Sequence, residues 1–84
     1  MNAADALKAI RGYAAAGRVR FTRHARERLA LRGAHTTDVL HALQRATSAR
    51  ASDGNWRVAG PDLDGDELIM VVAIEGGVVV VTVF

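Results

Sequence analysis

The chain has no cysteine, which excludes disulfide staples and thiolate metal sites and fits a cytosolic protein. It has one proline, Pro61, and four aromatic residues, Tyr13, Phe21, Trp56 and Phe84. Linkers, repeats and low-complexity tracts are absent, so 84 residues read as one domain with a single modest core. No window supplies the roughly 18 uncharged apolar residues of a membrane helix. The opening "MNAADALKAI" places Asp5 early and lacks a basic region followed by an apolar run, so no secretion signal is expected. These absences lead to the expectation of a cytoplasmic chain with no membrane partner.

Lysine is nearly missing too: Lys8 stands beside ten arginines. Half of the residues are hydrophobic, enough for a folded domain rather than a disordered tail. The net charge of +2 conceals a division. Residues 1–50 hold ten cationic side chains against Asp5, Glu27 and Asp38, a balance of +7, whereas residues 51–84 hold Arg57 against six acids, a balance of −5. Arginine's planar fork matches phosphate bidentately. The asymmetry therefore fits a molecule with one face suited to a polyanion, although a GC-rich genome also enriches arginine.

Helical signals come first. Asn2 with Asp5 resembles an N-cap and its acid at N3, Ala3, Leu7, Ile10 and Ala14 recur at helical spacing, and Gly17 is a natural stop. "RVRF" (Arg18–Phe21) alternates and reads as an edge strand. Thr22 can cap a second helix over 23–32, ended by Gly33. A third helix follows, with Thr36 or Thr37 as cap, Asp38 in its first turn, and Val39, Leu40, Leu43 and Ala46 as its buried stripe. After residue 47, Asp53-Gly54, Asp64-Gly65 and Gly76-Gly77 punctuate an expected antiparallel meander of strands at about 48–52, 55–60, 67–75 and 78–84. Gly60-Pro61 would close the second of these and keep proline out of the sheet interior. The expected class is α+β, with N-terminal helices packed on one face of a small, mainly antiparallel sheet.

"LIMVVAI" (68–74) and "VVVVTVF" (78–84) are apolar on both faces, where a half-exposed antiparallel strand should alternate. Three short helices cover one face of such a sheet. The other is then covered by the chain's own ends or kept for a protein partner, either a second copy in a homodimer or another chain.

The chemistry concentrates in "RFTRHARERLALRG", residues 20–33. On a helix from Thr22 to Arg32, Ala25 and Leu29 point to the sheet, continuing from Phe21. His24, Arg28 and Arg32 then share a stripe that flanks this buried face, at i, i+4 and i+8. Arg23 and Arg26 point more fully into water. A neutral histidine beside arginines suits a general base next to bound phosphate. Metal-free RNA cleavage needs such a base for the 2′-OH proton, arginines for the charged phosphorane, and an acid for the leaving oxygen. His24, Arg28 and Arg57 are the candidate catalytic residues, and Arg20, Arg23, Arg26, Arg32 and Trp56 the candidate RNA contacts. The competing reading has His24 and Arg28 engaged with backbone or acids at the helix–sheet seam, and Trp56 as a core residue or edge protector.

Other candidates fall away. His41 and Arg45 share the outward face of the third helix and read as solvated, and His35 precedes that helix, where it can help to cap it. Three scattered histidines without cysteine form no zinc constellation. "DLDGDEL" (62–68) mimics a calcium loop, but glycine stands at its fourth position and Ala73 where the bidentate glutamate belongs. No metal or cofactor is expected.

"HARERLALRGAHTTDVLHAL", "WRVAGPDLDGDELIMVVAI" and "VVVVTVF" resemble the small bacterial domain of unknown function 4258. They show its pattern of His24-Ala25, Arg28, Arg32-Gly33, a helix, and a meander ending in Thr82-Val83-Phe84. That family sits near the RelE/ParE-like toxins, which include BrnT and MqsR. "AGRVRFTR" (16–23) is similar to the matching segment of MqsR, an mRNA-cleaving toxin neutralised by an antitoxin. The resemblance implies a toxin-like α+β fold from a type II toxin–antitoxin system, RNA as substrate, a metal-independent endoribonuclease activity, and an antitoxin as partner. The sequence departs from the MqsR pattern at three places. Leu68 falls near the position of its tyrosine, Arg57 where a glutamine contributes, and Phe84 ahead of the position of its lysine.

Overall fold

A computed structural model describes all 84 residues. Helix α1 spans Ala3–Ala15, and the Oδ1 of Asn2 accepts the Asp5 N–H at 2.8 Å. Strand β1 is Val19–Phe21, followed by α2, Arg23–Arg32. Local signals fix both ends of α2. Thr22 accepts the Ala25 N–H at 3.0 Å, and Gly33 takes a left-handed φ of 68° that a side chain would strain. Helix α3 is Thr36–Gln44. Strands β2 (Ser48–Ser52), β3 (Asn55–Pro61), β4 (Glu67–Ile74) and β5 (Val78–Val83) complete the chain.

The strands form one mixed sheet in the order β1-β5-β4-β3-β2. The expected antiparallel meander is present from β2 to β5, and β1 adds to its edge in parallel, Val19 to Phe21 facing Val78 to Val80. Pro61 enters the strand itself, as the last residue of β3 opposite Glu67, a terminal position where a missing N–H costs the ladder little.

The core lies between the helices and one face of the sheet. Val58, Leu68, Met70, Val72, Val78, Val80 and Val83 project from that face onto Ile10, Ala14, Ala25, Leu29, Val39, Leu43 and Ala46, all buried. Leu40, expected in the α3 stripe, is half-buried, and Ala42 takes the fully buried place. Gly60 explains how α3 comes so close: a Cβ there would overlap the Ala42 carbonyl. Two side chains tie α1 to the C-terminal end of α3. The Arg11 guanidinium donates to the Ala46 carbonyl, with Nε at 2.8 Å, and the Gln44 amide donates to the Ala14 carbonyl at 3.3 Å.

The cap of α3 sits one residue earlier than expected, at His35. Asp38 organises this end. Its carboxylate accepts the His35 N–H at 3.0 Å and the Leu63 N–H at 3.3 Å, tying the helix start to the β3–β4 turn. Those two backbone donors hold the Asp38 carboxyl below its ordinary pKa.

Candidate functional site

Strand β1 covers β5 only as far as Val80, which leaves the edge of residues 81–84 without a strand neighbour. Helix α2 takes over this edge. The Thr22 N–H donates to the Val80 carbonyl at 3.0 Å, the Thr22 hydroxyl to Val81 at 2.8 Å, and the Arg28 Nε to Val83 at 3.3 Å. The edge carbonyls are thereby satisfied, and the first turn of α2 is pinned at the margin of the sheet. Ala25 and Leu29 face the core from this helix as the spacing predicts. Arg28 is half-buried and engaged by backbone. His24 is exposed, and its Nε2 lies 3.0 Å from the Thr82 Oγ1.

Val83 is buried against the helices, so its neighbour Thr82 faces the opposite, uncovered side. The register carries this side across the sheet in one row: Thr82 opposite Val71, Val71 opposite Arg57, and Arg57 opposite Arg50. His24, Thr82, Arg57 and Arg50 therefore lie along a single line. With strands about 4.8 Å apart, Arg57 is rooted about 10 Å from Thr82. Its guanidinium lies over the Phe84 ring, 4.7 Å from the centroid, a cation–π contact that holds it against the surface. Arg20, opposite Val79, joins the same face from β1. Between the cations run Ile69, Val71, Ala73, Val79 and Val81, all half-buried.

The other candidates are distributed differently. Arg23 and Arg32 are exposed on α2. Arg23 makes the chain's one ion pair, with Glu27 at 3.4 Å between largely exposed side chains, an arrangement worth only a few tenths of a kcal/mol. Arg26 lies over the Phe21 ring at 5.4 Å from the centroid. Trp56 points away from Arg57, to the helix side, where it packs against the core. His41 is half-buried rather than solvated, and its Nδ1 lies 2.9 Å from the Pro61 carbonyl, because Gly60 brings β3 up against α3. Leu68 is buried in the core.

Arg50 escaped the sequence reading. The signal was present: a two-residue turn at Asp53-Gly54 fixes Arg50 opposite Arg57 by counting. The acids do not answer these cations. Asp62 bends inward and accepts the N–H groups of Asp64 at 2.9 Å and Asp66 at 2.8 Å, closing the β3–β4 turn, and no carboxylate lies within ion-pair distance of Arg20, Arg28, Arg50 or Arg57.

Residues 21–84 match the family model described as Domain of unknown function (DUF4258). The chain belongs to that family. The match takes in α2, α3 and the whole antiparallel sheet, including His24, Arg28, Thr82 and both open-face arginines of the hairpin, and leaves α1 outside. No curated protein and no solved structure matches the chain. No helix of this DUF4258 chain is long and apolar enough to cross a membrane.

Proposed function

We propose that this DUF4258 domain is toxin-like, binds RNA across its uncovered sheet face, and cleaves it without a metal. The observation that carries this reading is the set of cations on that face, Arg20, Arg50 and Arg57, with His24 at the margin and no carboxylate paired to any of them. A cationic face held open in this way attracts phosphate backbones by counterion release. The likeness of "AGRVRFTR" to the MqsR segment supports a place near the RelE/ParE-like toxins.

In this reaction His24 takes the proton of a 2′-OH, and that oxygen attacks the adjacent phosphorus. Arg57 and Arg28 stabilise the phosphorane, and the 5′-oxygen leaves with a proton from water, giving a 2′,3′-cyclic phosphate and a 5′-hydroxyl. With Leu68 buried, no tyrosine shares the work, and the chemistry falls on His24. The test is inducible expression with a growth readout beside cleavage of mRNA by the pure protein. Wild type is expected to slow growth and to cut. Inhibition that survives His24→Ala combined with Arg28→Ala overturns the assignment of these residues.

A second reading has its own observation: the half-buried Ile69, Val71, Ala73, Val79 and Val81 form an apolar stripe that no helix covers. On this reading the domain is a non-catalytic interaction module, and the stripe docks an antitoxin or a second copy. Light scattering separates the two, since a monomer that binds no hydrophobic dye argues against it.

A further inference from the structure

The β2–β3 hairpin sets two guanidinium groups side by side. Its loop, Asp53-Gly54, has φ values of 48° and 82°, the left-handed pair that matches strand twist in a two-residue turn. Ser52 therefore faces Asn55, and Arg50 faces Arg57. Like charges directly opposed destabilise a sheet, and neither arginine has a carboxylate partner. Their Cα atoms are about 5.5 Å apart in such a pair, so both side chains rise from the same patch and reach a common anion.

The surroundings are those of a binding site. The pair lines a shallow groove of about 440 Å³ together with Ser48, Ala59, Ile69 and Glu67. Glu67 faces Pro61, four residues along β3 from Arg57, or about 13 Å, so it marks the far end and does not neutralise the pair. The Arg57 guanidinium carbon lies over the Phe84 ring, 4.7 Å from its centroid, and no carboxylate of the protein takes up its N–H fork.

We propose that Arg50 and Arg57 form a two-guanidinium clamp for a phosphate of single-stranded RNA. This rests on the RNA reading above and deepens it by assigning a subsite. Two forks supply more donors than one carboxylate can accept, whereas the oxygens of a phosphate engage both. Ser48, two residues from Arg50 on the same face of β2, adds a hydroxyl at the rim.

The experiment compares wild type, Arg50→Ala, Arg50→Lys and, as a control, Arg45→Ala, an exposed arginine at the end of α3. The probe is a short single-stranded RNA, with a 5′-phosphate or a 5′-hydroxyl, measured over a series of salt concentrations. R50A is expected to weaken binding about tenfold and to lower the salt slope by about 0.7, the value of one lost phosphate contact on a single strand. R50K keeps the slope but not the affinity, since it has charge without a fork. Equal losses on both RNAs place a chain phosphate in the clamp, and a loss confined to the 5′-phosphorylated RNA places the terminal one there. Wild type that binds RNA while R50A behaves like R45A overturns the clamp and leaves the RNA reading standing. Should wild type bind no RNA, the RNA reading fails, and inorganic phosphate decides the clamp alone. Shifts of the Arg50 and Arg57 Nε–H resonances on adding it uphold the anion site, and their absence overturns it.

Discussion

His24 and Thr82 stand 58 residues apart in sequence, and their side chains meet at 3.0 Å across the margin between α2 and β5. Helix α2 brings the imidazole to this margin, and a β-bulge that inserts Val81 between Val80 and Thr82 breaks the alternation of β5 and turns the hydroxyl toward the uncovered face. A histidine held by one nitrogen keeps its other edge in a fixed direction, the requirement for a positioned proton acceptor. Thr82→Val keeps the shape and removes the hydroxyl. On the proposed function, cleavage should fall about tenfold, while RNA affinity stays within about twofold. Single-turnover kinetics beside a binding curve makes the check, and unchanged cleavage would show that the contact positions nothing.

Trp56 and Arg57 are consecutive in sequence and point to opposite sides of β3, so their substitutions should fail in different assays. Trp56→Ala removes a partly buried aromatic from the core, at a cost of roughly 2–4 kcal/mol in urea unfolding. Arg57→Ala loses the contact with Phe84, at about 0.5–1 kcal/mol, and should weaken RNA binding about tenfold. A Trp56 variant with full stability and lost RNA binding would put base stacking back on that residue.

The split between these neighbours shows what the chain made legible. The ends of α2 were readable because Thr22 and Gly33 act within a few residues of the backbone they cap. The hairpin turns were readable because Asp-Gly and Gly-Gly tolerate positive φ, whereas β4 and β5, apolar on both faces, gave no sign of which face the helices cover. The parallel pairing of β1 with β5 left no local mark, since it joins residues about sixty positions apart. His41 was misread as solvated for a related reason: its partner, the Pro61 carbonyl, reaches α3 only because Gly60 removes the side chain between them. The cap of α3 lies at His35, where the Asp38 carboxylate reaches back to accept the His35 N–H. The catalytic candidates divide in the same way. His24 stays exposed as its stripe implied, whereas Arg28 spends its Nε on the Val83 carbonyl, which sequence spacing could not reveal.

Gly60 offers a test of the packing that supports the site. Its φ is unremarkable for a strand, so the reason for glycine is space: the Ala42 carbonyl and the Ala46 Cα occupy the position of a side chain. Gly60→Ala must push α3 off β3 or distort the strand, and such overpacking costs typically 1–3 kcal/mol. Because the obstacle is backbone, which cannot swing aside, the upper end of that range is expected. Urea unfolding at neutral pH measures it. A variant as stable as wild type would mean that α3 does not sit this close to the sheet.

Asp38 makes stability depend on pH in a direction that can be worked out. Its carboxylate accepts N–H groups from His35 and Leu63, which favour the charged form and lower the folded-state pKa. The unfolded chain binds its proton at about pH 3.9. A group depressed on folding stabilises the fold above that value, and the contribution is lost as pH falls through the folded pKa. Asp38→Ala should therefore unfold at lower urea than wild type at pH 7 and at pH 5. Below about pH 4 the gap should shrink as the wild-type carboxyl protonates and releases the helix start from the β3–β4 turn. A gap that persists unchanged at pH 2.5 would show that Asp38 acts through its shape and not through its charge.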